Sequence, residues 1–329
     1  MERVSFITFL VIILLGIMII SLHVNAIDLY YPRGINVARG FIYVIGSAQD
    51  TARFSFVKQR VKFSTIKRKI YKYDRNGRYI AQWGVEGLRR LFAQPLGAIE
   101  MARGQINFPL DLAVDERRNV YVLDAEALTV QKFDDRGAKI ATFQGRFGYP
   151  GGIAVHVEDT NVVYIYVTDD GVKKFSEQGR LLTSWGTRGA GDGQFNTPLG
   201  IDIDGNGFIY VVDTGNNRIQ KLDENGGMIW QSGSRGAGDG QFNAPFDVAL
   251  DDAENIYVTD TGNNRVQKLG PDGQFIKTWG GRGSLPGQFA LPTGIAVYGN
   301  EIYIVDTKNH RVQKFDTNGN FLQLVVNRN

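Results

Sequence analysis

The chain has 329 residues, no cysteine and three histidines, which excludes disulfides, cysteine nucleophiles and cysteine-held zinc, iron–sulfur or haem groups. Glycine is plentiful at 40 residues, proline scarce at 9, and 43% of residues are hydrophobic, so a collagenous or disordered chain is excluded as well. As an average, the net charge of +3 is too small to argue for a nucleic-acid partner.

Residues 4–22 follow Arg3 and carry no charge. A run of roughly 20 apolar residues spans a bilayer as a helix, and Val24-Asn25-Ala26 supplies the small-residue pattern of signal-peptide cleavage. Segment 1–26 is therefore expected to be one hydrophobic helix, either a signal peptide or an uncleaved transmembrane anchor. Both readings place residues 27–329 outside the cytoplasm, secreted or held at the cell surface, because Arg3 favours the cytoplasmic side.

From residue 27 onward the chain repeats itself, and the repeat decides the fold. Pro198-Leu-Gly-Ile-Asp-Ile, Pro245-Phe-Asp-Val-Ala-Leu and Pro292-Thr-Gly-Ile-Ala-Val each lead to a tyrosine-bearing run ending in Asp213, Asp260 or Asp306. Arg218-Ile-Gln-Lys, Arg265-Val-Gln-Lys and Arg311-Val-Gln-Lys follow. Weaker copies start at Pro32, Pro109 and Pro150. Six copies are expected near 30–84, 108–145, 148–186, 195–233, 242–280 and 289–327. Each holds four short runs of alternating character separated by turns such as Asn225-Gly226. Four-stranded units repeated radially make a β-propeller. The expected fold is all-β, a six-bladed propeller of four-stranded antiparallel blades in one domain, 27–329.

Phe195-Asn-x-Pro198, Asp213-Thr-Gly-Asn-Asn-Arg218 and Gln220-Lys221 resemble the NHL repeat, a propeller family. The resemblance implies a scaffold used as a ligand platform, for RNA binding, or occasionally as a lyase. The residues themselves read as structural first: Asp213, Asp260 and Asp306 accept turn amides, and the arginine five residues on pairs with each. Asp202-x-Asp204 reads as a hairpin turn rather than a calcium loop.

Two insertions depart from the repeat, 50–69 and 85–104, and the order of strands puts both on one face. Between residues 51 and 72 stand eight bases and no acid. Without them the rest of 27–329 has 28 bases against 33 acids. Arg53, Lys58, Arg60, Lys62, Lys67, Arg68, Lys69, Arg89 and Arg90 are the candidate partner-binding residues. They suit a protein or an anionic cell-surface polymer, including lipid headgroups. RNA binding ranks third, because export makes nucleic acid a poor partner, and residues 4–22 engage the membrane if uncleaved.

The second candidate place is the central channel, lined by the first strand of each blade. Small residues dominate there, and Asp111 and Asp247, in opposite blades, stand out with Asp202 and with Arg33 at the mouth. The family's enzymatic members hold zinc in the channel on several histidines, whereas only His156 and His310 follow the N-terminal segment here. No cofactor is therefore expected, although carboxylates alone would suffice for calcium. The sequence favours a monomeric, non-enzymatic interaction platform over a metal-dependent (calcium or zinc) lyase or hydrolase with a channel site.

Overall fold

The computed structural model describes residues 7–11, 20–24, 33–56, 59–84, 106, 108–144, 147–158 and 162–326; for 7–11, 20–24, 47–56 and 59–68 it describes the backbone alone. Alternating β-branched and tyrosine residues, as in Ile209-Tyr-Val-Val-Asp213, suit a pleated strand packed on both faces. Four such strands, a to d, form each blade. Blade 1 is Ile35–Ala38, Phe41–Phe56, Gln59–Asp74 and Tyr79–Trp83; blade 2 is Pro109–Val114, Val120–Asp124, Thr129–Phe133 and Lys139–Gln144. Blade 3 is Ile153–Val157, Val163–Thr168, Val172–Ser176 and Leu181–Trp185; blade 4 is Pro198–Ile203, Ile209–Asp213, Arg218–Leu222 and Met228–Ser232. Blade 5 is Pro245–Leu250, Ile256–Asp260, Arg265–Leu269 and Phe275–Gly280; blade 6 is Pro292–Tyr298, Glu301–Asp306, Arg311–Asp316 and Phe321–Val326. Within every blade the four strands pair in chain order. The six-bladed propeller is as the repeat predicts, and no blade borrows a strand from another.

Apolar clusters fill the six interfaces between blades. Tyr210, Val212 and Ile219 of blade 4, for example, pack with Phe242, Val248, Val258 and Leu269 of blade 5. A lysine on strand c reinforces each interface. Lys221 lies 4.8 Å from the Tyr210 ring centroid, and Lys132 lies 5.1 Å from that of Tyr121 while donating to Glu177 of the next blade at 2.7 Å. The c–d turn of one blade also packs on the outer aromatic residue of the blade before it. At Gly226, φ is +83° and a Cβ would lie 2.1 Å from Trp185 Cγ, so two constraints demand glycine there.

The ring closes by the same means. Ile35, Val44 and Tyr71 of blade 1 share one cluster with Tyr303, Val305 and Val326 of blade 6. Arg75 pairs with Glu301 at 2.9 Å, Lys314 Nζ donates to Arg75 O, and Thr293 Oγ1 donates to Arg33 O at 3.1 Å. A pairing of residues 27–31 with the last blade, left open by the sequence, lies outside the described residues.

One N-terminal feature differs from expectation. Of the helix expected over 4–22, residues 7–11 and 20–24 instead form an antiparallel pair of strands, Ile7 opposite Val24 and Val11 opposite Ile20; the remainder lies outside the described residues. A continuous apolar run lacks the periodicity that separates helix from strand, and this one is rich in β-branched isoleucine. Among the described residues no helix is long and apolar enough to cross a membrane. In the first insertion, strands b and c of blade 1 continue as partners out to Phe56 opposite Gln59.

Candidate functional site

The repeat motif builds the face that carries the b–c turns and the d–a connections. Asp213 ends strand b of blade 4. Its Oδ1 accepts the Asn196 amide at 2.7 Å, and its Oδ2 accepts Arg218 Nε at 2.7 Å. Arg218 Nη2 donates in turn to the carbonyls of Gly191 and Gln194, and Gln220 Oε1 accepts the Gly193 amide. The b–c turn thus holds the d–a connection, 186–194, so both lie on one face. Asp260–Arg265 and Asp306–Arg311 repeat the pair at 2.7 Å. These buried, charge-assisted contacts are scaffold, as the sequence implies. So is Asp204, which accepts the amides of Asn206 and Phe208 in the a–b turn.

Blade 1 departs from this pattern on the same face. In place of the short b–c turn stand two 16-residue strands, Phe41–Phe56 and Gln59–Asp74. Arg53, Arg60, Lys62, Lys67, Arg68 and Lys69 all lie in this ribbon, with Arg53 opposite Lys62 and Ser55 opposite Arg60. Lys58, Arg89 and Arg90 lie outside the described residues.

The channel holds a cavity of about 140 Å³ lined by strand a of every blade, including Asn36, Asp111, Ala113, Asp202, Asp247 and Ala296. A smaller recess beyond it is lined by Arg33, Gly34, Asp111, Gly200, Phe246 and Asp247. Asp111 and Asp247 border both spaces and so form the waist of the channel. Arg33 lies at the recess with its guanidinium 5.3 Å from the Phe246 ring centroid. The structure therefore brings together the four channel residues singled out from sequence.

It also gives the aspartates a role that sequence reasoning missed. Asp111 Oδ2 accepts the Ile153 amide of blade 3 at 3.0 Å. Asp202 accepts the Leu250 amide of blade 5 at 3.0 Å, and Asp247 accepts the Ile295 amide of blade 6 at 3.0 Å. Each joins its own blade to the next. The available signal was spacing: Asp111 and Asp247 both stand two residues after the proline that opens the repeat.

Withdrawal from bulk water dominates their acidity. It pushes the Asp111 carboxyl up to about 6, against the opposing pull of the Ile153 and Leu112 amides and of Arg33. Asp202 rises to about 7 for the same reason. Asp247 is raised well above the carboxylate range by desolvation and then by the Asp111 charge. Desolvation also lowers the Arg33 guanidinium, opposed by Asp111.

The residues present do not fit a zinc centre. Among the described residues no three of His, Asp or Glu converge as metal ligands, and the channel carboxylates already accept backbone amides. His156 lies in strand a of blade 3 and His310 in the b–c turn of blade 6, with φ +53°, toward opposite faces.

Comparison with known sequences decides what the repeated units are. The NHL repeat matches residues 195–222, 242–269 and 289–315, the inner strands of blades 4, 5 and 6. The chain carries NHL repeats. Human NHL repeat-containing protein 3 is 36% identical over 69 residues, which is 20% of each chain, so the match spans a fifth of that relative. Among solved structures, a streptogramin B lyase superposes with a TM-score of 0.55 at 13% identity, over 92% of this chain and 85% of the other. A nidogen/laminin complex gives 0.53 at 18% identity, over 78% and 89%. At such identities the likeness is one of fold. The propeller architecture is thus shared with a streptogramin B lyase and with a nidogen/laminin complex.

Proposed function

We propose that this NHL propeller is an exported or membrane-held binding platform, non-enzymatic, whose partner docks on the face bearing the two insertions. The observation that carries the reading is the blade 1 ribbon. It is one of the two places where the chain departs from its own repeat, and it gathers the cationic excess of an otherwise acidic body. The channel carboxylates support the same reading, since each is already engaged in joining neighbouring blades. Deleting residues 51–69 leaves Gly46–Asp50 to connect strands b and c. The expected result is a folded protein that loses its captured partners and its retention at the cell surface. Unchanged partners and retention would overturn the assignment.

A second reading rests on Asp202. A carboxyl titrating near 7 beside a cavity has the acidity that proton-transfer catalysis needs, which favours a channel lyase or hydrolase, with or without calcium. That reading expects stoichiometric metal in the washed protein, lost on Asp111→Ala or Asp247→Ala, or turnover abolished by Asp202→Asn.

A further inference from the structure

The register of the blade 1 ribbon sorts the residues of its distal half by chemistry, whereas nearer the blade Lys67, opposite Ala48, falls on the face of Phe54 and Phe63. Directly opposed residues of an antiparallel pair share a face, and faces alternate along each strand. Arg53 opposite Lys62, Ser55 opposite Arg60 and Ser47 opposite Arg68 therefore lie on one face. Phe54 opposite Val61, and Ala52 opposite Phe63, lie on the other, together with Phe56. The distal ribbon is thus cationic on one side and aromatic on the other. Strands a and d of blade 1 pair only with residues 41–44 and 70–73, so neither extends along it.

We infer that this two-faced ribbon, with Arg53, Arg60 and Lys62 on one face and Phe54, Phe56 and Phe63 on the other, binds an anionic lipid surface. The inference rests on the platform reading and names its partner. A soluble polyanion answers only the cationic face. A bilayer interface answers both: headgroup phosphates attract the cations, while an amphipathic segment lying in the plane buries its apolar face at the acyl boundary. Arginine and lysine stems reach several ångströms toward phosphate from a buried backbone. Strand Ile20–Val24 also contacts strand Phe41–Phe56, so the segment whose composition suits a bilayer adjoins this part of blade 1.

The absence of cysteine from the chain makes the test direct. Phe54→Cys and Ser55→Cys place one environment-sensitive fluorophore on either face of the full chain. Titration with phosphatidylcholine vesicles, with and without phosphatidylglycerol, should raise emission about threefold or more at position 54, only with the anionic lipid, and far less at position 55. Arg60→Glu with Lys62→Glu should weaken that response about tenfold or more, whereas Arg60→Lys with Lys62→Arg should preserve it. An unaltered melting temperature confirms that the charge variants fold. Equal responses at 54 and 55, equal responses to neutral vesicles, or a response to a sulfated polysaccharide in place of vesicles would each overturn the lipid assignment. If vesicles leave position 54 unchanged but deletion of 51–69 still removes captured partners, the lipid partner is wrong and the platform stands. If the deletion removes nothing, the platform itself fails.

Discussion

Arg75 of blade 1 and Glu301 of blade 6 meet at 2.9 Å across the junction that closes the ring. Glu301 also accepts Tyr303 Oη at 2.6 Å and Lys314 Nζ at 3.1 Å. The two ends of this contact therefore differ in what they support. Arg75 is about half exposed, and Arg75→Ala should cost no more than about 1 kcal/mol. Glu301→Ala removes the carboxylate partner of the mostly buried Lys314 ammonium, leaving it only the long contact to Arg75 O, and should cost about 3 kcal/mol. Urea unfolding of both variants checks the order; equal losses would deny Glu301 its central place at the seam.

Two glycines in blade 4 separate steric need from mere tolerance. Gly226 is held at φ +83° with its Cβ position filled by Trp185, while a Cβ on Gly205 meets nothing within 4 Å. Gly226→Ala should lower stability by about 2 kcal/mol or more. Gly205→Ala should stay within about 0.5 kcal/mol of the parent. Thermal melts of the pair distinguish them, and similar melting temperatures would contradict the packing of turn on tryptophan.

Asp260, itself buried, satisfies a mostly buried guanidinium and the backbone of a connection at once. Its Oδ1 accepts the Asn243 amide at 2.8 Å, and its Oδ2 accepts Arg265 Nε at 2.7 Å. Asp260→Ala should cost about 3–5 kcal/mol and open the connection around 233–242 to proteases before the rest of the chain. Simultaneous cleavage throughout would show that the motif does not act locally.

The channel aspartates set the pH dependence. Their native pKa values lie above those of the unfolded chain, near 4, so the folded state binds more protons between about pH 4 and pH 7 and stability falls as pH rises. Melting temperature should therefore be higher at pH 5.5 than at pH 8, by roughly 2 °C or more. Asp202→Asn should flatten that slope, since its carboxyl titrates near 7. A slope unchanged by both Asp202→Asn and Asp247→Asn would place the responsible groups elsewhere.

The blades were legible because one chemical pattern recurs: proline opening strand a, tyrosine inside strand b, aspartate at its end, arginine opening strand c. Their arrangement around the channel followed, and with it the meeting of Asp111, Asp202, Asp247 and Arg33. What those carboxylates accept was not legible, because the Ile153, Leu250 and Ile295 amides come from neighbouring blades, about 40–50 residues away in the repeat. At the N-terminus, where Ile7–Val11 and Ile20–Val24 are strands, the composition could not separate helix from strand, because a run without polar residues has no periodicity to read. The ribbon lay between these cases. Its charges were plain, but which of them oppose phenylalanine depends on a register that the turn, not the composition, fixes.

Because every blade is one uninterrupted stretch of sequence, the seam between blades 6 and 1 has no covalent or strand-exchange privilege over the other five. The molecule has in effect no preferred starting point. Joining the ends of the propeller by a short linker and cutting instead at a d–a connection should give a circular permutant of the same shape.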